Sequence, residues 1–389
     1  MKDIITLLEL YTNYQEFKAS NYIDRYLSFD DLEFYLNNDL KFKVGKSVLG
    51  YSVLGKPIYR LNFGKGRYKI LMWSQMHGNE STTTKALFDF LNVFALKNNK
   101  ALITSILENC TLCVIPILNP DGADRYTRLN ANDVDLNRDA VNKSQPETQS
   151  FFKYFKEFKP DFCFNLHGQR TIFGAGCSGK PSTVSFLAPS FDNNCSIDKS
   201  REKSMHLIAE ANKVLQDIIP GQVGRYDDAH NINCFGDYIQ NKKIPTVLFE
   251  AGHYTNDYNR ETVRKIITIS IFSMLNTIIY ESQEFDNTEY LNIPFNKDCF
   301  FDIIIENVKN IEHGCIGVQF NEELKQNKVN FIPFVKRIGN LEDFKAHKRI
   351  NAKLENIKIN NSESIEEQVI IKSLKIGEDY IDLNPLLSE

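Results

Sequence analysis

Three short polar clusters interrupt apolar runs of the chain: His77-Gly78-Asn79-Glu80, Asn165-Leu166-His167-Gly168 and Phe249-Glu250-Ala251-Gly252-His253. A histidine and a glutamate three apart on a turn can face one point, and Gly78 lets the backbone fold tightly between them. Two imidazoles and one carboxylate form a catalytic zinc shell that leaves one position for water. A metal so held lowers the pKa of water to about 7 and makes hydroxide available at neutral pH. The pattern therefore assigns one Zn2+ to His77, Glu80 and His167. Glu250, arriving from a separate stretch, is the carboxylate suited to general-base work. A lone His-x-x-Glu is a weak signal. The weight lies in two histidines and two glutamates at the ends of three apolar runs. His253 reads as a local hydrogen-bonding residue rather than a ligand.

Residues 119–139, NPDGADRYTRLNANDVDLNRD, separate the first two clusters and carry Arg125, Arg128 and Arg138. Beside a metal, two or three guanidinium forks would bind a carboxylate and polarise a carbonyl oxygen.

These groups need a rigid frame, and the sequence supplies one. KILMWS (69–74) is an apolar run of the kind buried on both faces. Val53 to Asn62, Tyr68 to Ser74, Thr111 to Leu118, Asp161 to Leu166 and Thr246 to Phe249 read as strands. Residues 81–97, 203–217 and 259–280 read as helices, as does a segment from Pro146 to about Phe158. Ser81 and Thr82 are candidate caps for the first, and NPDG reads as a loop. Alternating strands and helices predict an α/β fold: a mixed, mostly parallel sheet flanked by helices, with ligands outside the carboxyl ends of its strands. Residues 1–45 read as short helices packing on the body, and 46–285 as the catalytic unit. QEFDNTEYLNIP (283–294) resembles a linker. Residues 290–389 read as a small, mostly β domain, with strands in FFDIIIENV, GCIGVQF, NFIPFVK and QVIIKSL.

The bulk properties narrow the partners. A net charge of −4 with scattered basic residues gives no support for nucleic acid or an anionic membrane. The stretch 266–279 is the most apolar, but Ser270, Ser273, Asn276 and Thr277 interrupt it, so it reads as a buried helix. The N-terminal MKDIITLLELYTNYQEF lacks a leader pattern and reads as an amphipathic helix. Together with eight cysteines, several inside strand-like runs, this predicts reduced thiols and a cytoplasmic location. Cys110 and Cys113 fall on one strand with side chains on opposite faces, so they share no metal.

HGNE (77–80), NPDG (119–122), TRLNANDVDLNR (127–138), NLHG (165–168) and FEAG (249–252) together resemble the zinc carboxypeptidase family, the carboxypeptidase A-like group or funnelins. The likeness spans residues 46 to about 285. It implies that His77, Glu80 and His167 bind zinc and that Arg128 stabilises the oxyanion. It implies that Asn137 and Arg138 hold the substrate's terminal carboxylate, and that Glu250 takes a proton from water and passes it to the leaving amine. Family members carry a tyrosine that closes over the substrate; Tyr226 is the nearest match, and Tyr238 reads as part of the following helix or wall. The implied activity is hydrolysis of the C-terminal amide bond of a peptide. The alternative is a zinc-dependent N-acyl amino acid amidohydrolase of the aspartoacylase and succinylglutamate desuccinylase type. That type resembles the same fold and often adds a β domain at the C-terminus. Either substrate is a peptide or acyl amino acid with a free carboxylate.

Overall fold

A computed structural model of the chain describes residues 2–176, 178–280 and 285–388. An eight-stranded mixed sheet forms its centre. The strands are Gly45–Tyr51 (β1), Pro57–Gly64 (β2), Tyr68–Ser74 (β3), Cys110–Ile115 (β4), Phe162–Gly168 (β5), Val184–Leu187 (β6), Val223–Arg225 (β7) and Thr246–Ala251 (β8). Their order is β1-β2-β4-β3-β5-β8-β6-β7. The central strands β4, β3, β5 and β8 run parallel. Antiparallel pairing of β1 with β2, β2 with β4 and β6 with β8 makes the sheet mixed.

Alternation along β3 shows how the sheet is buried on both faces. Ile70 and Met72 join one apolar cluster with helices Ser81–Val93, Lys199–Gln216 and Glu261–Ile279. Leu71 and Trp73 join a second with Phe151, Phe152 and Phe155 of helix Pro146–Phe158. Cys110 and Cys113 likewise fall into different clusters, so the two thiols face apart. Cys110, Cys113, Cys163, Cys195, Cys234 and Cys315 are free thiols; Cys177 lies outside the described residues. Glu261–Ile279 is the one described helix long and apolar enough to cross a membrane, and it is largely buried among its neighbours.

Several expectations are corrected. Residues 53–62 are not one strand, because a turn at Ser52–Lys56 separates β1 from β2. NPDG opens a short helix, Pro120–Arg125, with Asn119 Oδ1 accepting the Gly122 N–H at 2.9 Å and proline in its first turn. Ser81 and Thr82 do not cap their helix. Glu80 holds the cap position but its carboxylate is turned to the two histidines, so no side chain caps that end. The supposed linker contains helix Asn287–Leu291, whose Tyr290 is fully buried and whose hydroxyl accepts the Ala188 N–H; residues 283 and 284 of that stretch lie outside the described residues. QVIIKSL makes a single bridge, Ile370 to Phe334, before strand Leu374–Ile376 begins.

The C-terminal strands Phe300–Glu306 (β9), Ile316–Lys325 (β10), Lys328–Ile338 (β11) and Lys345–Asn351 (β12) form a sheet in the order β11-β10-β9-β12. Three short strands beyond it form another, and both enclose an apolar cluster of their own around Ile303, Ile316, Val335 and Leu374. Strand pairing of Phe173–Ala175 with Asn296–Asp298 ties this layer to the central body.

Two imidazoles meet at that seam. His253 and His347 have ring centroids 4.2 Å apart, between Tyr258 and Phe300. His347 Nε2 donates to the Thr171 carbonyl at 2.8 Å, whereas both His253 nitrogens lack a partner. His253 is thus a buried packing residue, not the hydrogen-bonding residue expected. Burial first, with the nearby Arg260 charge, holds His347 down to about 4; burial and His347 hold His253 well below its ordinary value. Both stay neutral in the fold but protonate near 6.5 when unfolded. Their contribution to stability is therefore full above pH 6.5 and lost as pH falls towards 4. Asp302, raised to about 6 by burial, acts in the opposite sense. The His347→Gln variant removes one titration. Between pH 6.5 and 4 the parent should lose up to about 3 kcal/mol more stability than this variant. Denaturant melts across that window check this, and equal losses in both proteins contradict it.

Candidate metal centre and active site

The three polar clusters converge at the carboxyl ends of β3, β5 and β8. Beyond β3 the chain turns sharply at Gln75, whose φ is 48°. The Gln75 side-chain amide donates to the Gly78 carbonyl at 2.8 Å and fixes the turn. Gly78 is needed for close approach: a Cβ there would lie 1.9 Å from the Gly122 carbonyl carbon. His167 and Glu250 are register partners on adjacent parallel strands, so their side chains leave the same face of the sheet side by side.

His77, Glu80 and His167 offer ligand atoms that all lie within 4.8 Å of one another. His77 Nδ1 is 2.8 Å from Glu80 Oε1, His167 Nδ1 is 2.9 Å from Glu80 Oε2, and the two Nδ1 atoms are 3.1 Å apart. Tetrahedral zinc ligands at about 2.1 Å stand roughly 3.4 Å from each other, close to these spacings. His77 Nε2–H donates to Asp135 Oδ1 at 3.0 Å, which leaves Nδ1 as the free lone pair. The Gly168 N–H donates to Glu80 Oε2 at 3.1 Å. Facing imidazole lone pairs beside a buried carboxylate need a cation, and this donor set fits zinc.

The titration pattern has the same cause. Burial alone would depress His77, but Glu80's charge and hydrogen bonds to Asp135 and Glu80 push it up to about 9. Burial likewise raises Glu80, yet the two histidines hold it far below the carboxylate range. His167 is lowered, chiefly by burial. A proton on His77 thus supplies the positive charge that the cluster demands.

Asp135 is the functional residue that sequence reasoning missed. Oδ1 takes the His77 Nε2–H and the Asn137 N–H, while Oδ2 takes the Nε and Nη2 fork of Arg128, both at 3.0 Å. One carboxylate therefore sets both the histidine tautomer and the arginine. Its only signal was its place inside DVDLNR. Substituting Asp135 by Ala should weaken zinc binding about 10- to 100-fold. Chelator competition measures this, and unchanged affinity contradicts the assignment.

The remaining predicted residues line one cavity of about 990 Å³ with the metal group: Arg128, Asn137, Arg138, Tyr226 and Glu250. Arg128 Nη1 lies 3.7 Å from Glu80 Oε1, directed at the metal group. Asn137 Oδ1 accepts the Phe235 N–H at 2.9 Å, and Arg138 Nη1 rests on the Asn137 carbonyl and Cys234 Sγ. Glu250 is buried and its Oε2 has no partner. Burial, then the nearby Glu80 charge, raises it well above the carboxylate range. Burial and Glu250 push the Tyr226 hydroxyl up to about 12. Arg125 is exposed and off the cavity, and Tyr238 packs on Phe152 with its hydroxyl accepting from Lys143. Asn165, Asn231, Cys234, Gly236, Asp237 and Leu248 complete the end beside Asn137 and Arg138.

Residues 36–194 match the family model described as zinc carboxypeptidase. That span holds the metal group, Arg128, Asn137 and Arg138; Tyr226 and Glu250 lie beyond it. Carboxypeptidase SOL1 of Arabidopsis thaliana is 28% identical over 170 residues, 37% of this chain and 33% of that protein. Gamma-D-glutamyl-L-diamino acid endopeptidase 1 of Lysinibacillus sphaericus is 33% identical over 82 residues, 20% of this chain and 21% of that protein. The chain thus spans a third or less of the curated relatives it matches first. Among solved structures, a metallo-carboxypeptidase from Burkholderia cenocepacia aligns with a TM-score of 0.55 at 17% identity, over 66% of this chain and 70% of that one. Carboxypeptidase A from Helicoverpa armigera aligns with a TM-score of 0.52 at 16% identity, over 72% and 82%. The architecture is that of the metallocarboxypeptidase structures with added β-sheets at the C-terminus, and residues 36–194 are similar to the zinc carboxypeptidase family.

Proposed function

We propose that the protein is a zinc metallocarboxypeptidase that hydrolyses the C-terminal amide bond of a peptide. The observation that carries this reading is Glu250, buried and unpartnered, standing in register beside His167 in a cavity that also holds Arg128, Asn137 and Arg138. Zinc held by His77, Glu80 and His167 would supply the Lewis acidity that polarises the scissile carbonyl and acidifies water.

The chain's own groups divide the remaining work. Asn137 and Arg138 hold the substrate's terminal carboxylate, which aligns the last amide bond with Glu250. Glu250 removes a proton from the attacking water and delivers it to the departing amine nitrogen. Arg128, fixed by Asp135, donates to the oxygen on which negative charge develops. Tyr226 closes the cavity over the substrate. Glu250 must be ionised to act. Burial and the charge of Glu80 disfavour that in the bare protein; a divalent cation held by His77, Glu80 and His167 would favour the ionised form.

Zinc-loaded protein offered a panel of short peptides, with mass-spectrometric readout and a chelated control, tests the reading. Single residues should leave from the C-terminus. Converting the terminal carboxylate to an amide should lower kcat/KM about a hundredfold, the worth of a charge-assisted fork. Hydrolysis of N-acetylaspartate or N-succinylglutamate with no cleavage of peptides would establish the N-acyl amino acid amidohydrolase instead.

A further inference from the structure

Zinc ligands, base and carboxylate clamp account for only part of the cavity lining; residues of the C-terminal sheet line it too. Phe320 of β10 and Phe331 of β11 line the cavity together with Tyr258, eight residues past Glu250. Their three rings meet edge to face, with centroids 5.5 Å apart for Tyr258–Phe320, 5.3 Å for Tyr258–Phe331 and 6.1 Å for Phe320–Phe331. Both phenylalanines are only partly buried and turn apolar surface to the cavity.

The wall is fixed rather than draped. Fully buried Asp302 accepts from the Tyr258 hydroxyl, the Gln319 amide and the Phe320 N–H at 2.9, 2.6 and 2.8 Å. Gln319 also donates to Thr171 Oγ1, just beyond β5. Glu322 of β10 bridges Arg25 and the Tyr126 hydroxyl at the lip. These contacts engage the body at Arg25, Tyr126, Thr171 and Tyr258. A substrate whose carboxylate lies at Arg138 and whose scissile carbonyl lies at the metal group shares one cavity with this wall, which is open to its upstream residues.

We infer that the C-terminal sheet is part of the substrate site. Phe320, Phe331 and Tyr258 form an apolar subsite for the side chain immediately upstream of the scissile bond, and the substrates are short peptides with an apolar residue there. The inference rests on the peptidase reading above and adds a substrate class to it. Apolar contact of this size is worth about a tenfold preference.

The test compares Ala-Phe-Xaa with Ala-Gly-Xaa, where Xaa is the best leaving residue of the panel. The zinc-loaded parent should favour the Phe-bearing peptide about tenfold in kcat/KM. Phe331→Ala should lower kcat/KM for that peptide about tenfold more than for the Gly-bearing one. Phe331→Trp keeps the ring packing but fills the subsite, so it should reverse the preference even if the alanine variant fails to fold. Calorimetric binding of both peptides to the Glu250→Gln protein should show the same preference without turnover. A parent with no preference, or variants that lower both peptides equally, overturns the inference while leaving the peptidase reading intact. A parent that binds and cleaves neither peptide sinks the peptidase reading, and the subsite falls with it.

Discussion

Glu250→Gln protein should keep a full equivalent of zinc and lose about three orders of magnitude in turnover. The substitution preserves size and shape, and Glu250 is not among the three groups whose ligand atoms cluster. Metal content should therefore hold. An amide at this position has no basic oxygen to take a proton from water, and burial leaves no solvent base to substitute for it. Burial, and then repulsion from Glu80, disfavour a charge at this position; a neutral amide avoids both, so the variant should melt at the parent's temperature or above it. Steady-state rates on the best peptide, read alongside zinc content, decide the matter. A fully active Glu250→Gln protein would remove the base from the mechanism. Loss of zinc along with activity would make Glu250 a ligand instead.

The second large effect concerns stability. Asp89, fully buried on helix Ser81–Val93, receives the Nε and Nη2 fork of equally buried Arg264 at 2.6 Å for both contacts. It also accepts the Tyr14 hydroxyl at 2.6 Å and the Ala19 N–H at 2.7 Å. Arg264 returns two bonds to the same N-terminal segment, at the carbonyls of Tyr22 and Ala19. One ion pair thus fastens residues 14–22 to the two helices that cover this face of the sheet. Burial would strip the guanidinium of its proton, but Asp89 more than offsets it and holds the group well above its ordinary range. Asp89→Ala leaves the buried guanidinium with only its longer contacts to the part-exposed Glu261, at 3.3 and 3.4 Å, and should cost about 3 kcal/mol. Urea unfolding at neutral pH measures this. Replacing Asp89 and Arg264 together by leucine should cost much less, since no charge is then left unpaired. A single variant as stable as the parent would show that the segment is held by its apolar contacts alone.

The sequence exposed the site more completely than the frame. HGNE, NLHG and FEAG stand out because apolar strands lead straight into them, and buried parallel strands are legible as short continuous runs. Register then does what no local pattern announces: it sets His167 beside Glu250. Asp135 escaped notice because a carboxylate in a polar loop looks like any solvated acid until its partners are seen. The turn between β1 and β2 escaped because Val53 and Leu54 carry strand-type side chains, although they sit in a bend held by Ser52 and Lys56. The helix at Asn287–Leu291 is short and polar in composition, and its identity depends on one buried tyrosine. Of the C-terminal strands, β9, β10 and β11 were legible as strands, whereas β12 was not and QVIIKSL makes only a bridge. Their part in walling the cavity was not legible, because contacts such as Glu322 with Arg25 span almost the whole chain and leave no local trace.

Two imidazoles and one carboxylate from distant parts of the chain are placed to hold a single metal ion. Zinc K-edge absorption on protein loaded with one equivalent tests this most directly. Nitrogen and oxygen neighbours at about 2.0–2.2 Å with two imidazole signatures are expected, reduced to one by His167→Ala. A sulfur shell near 2.3 Å, or an imidazole count untouched by that substitution, would contradict it.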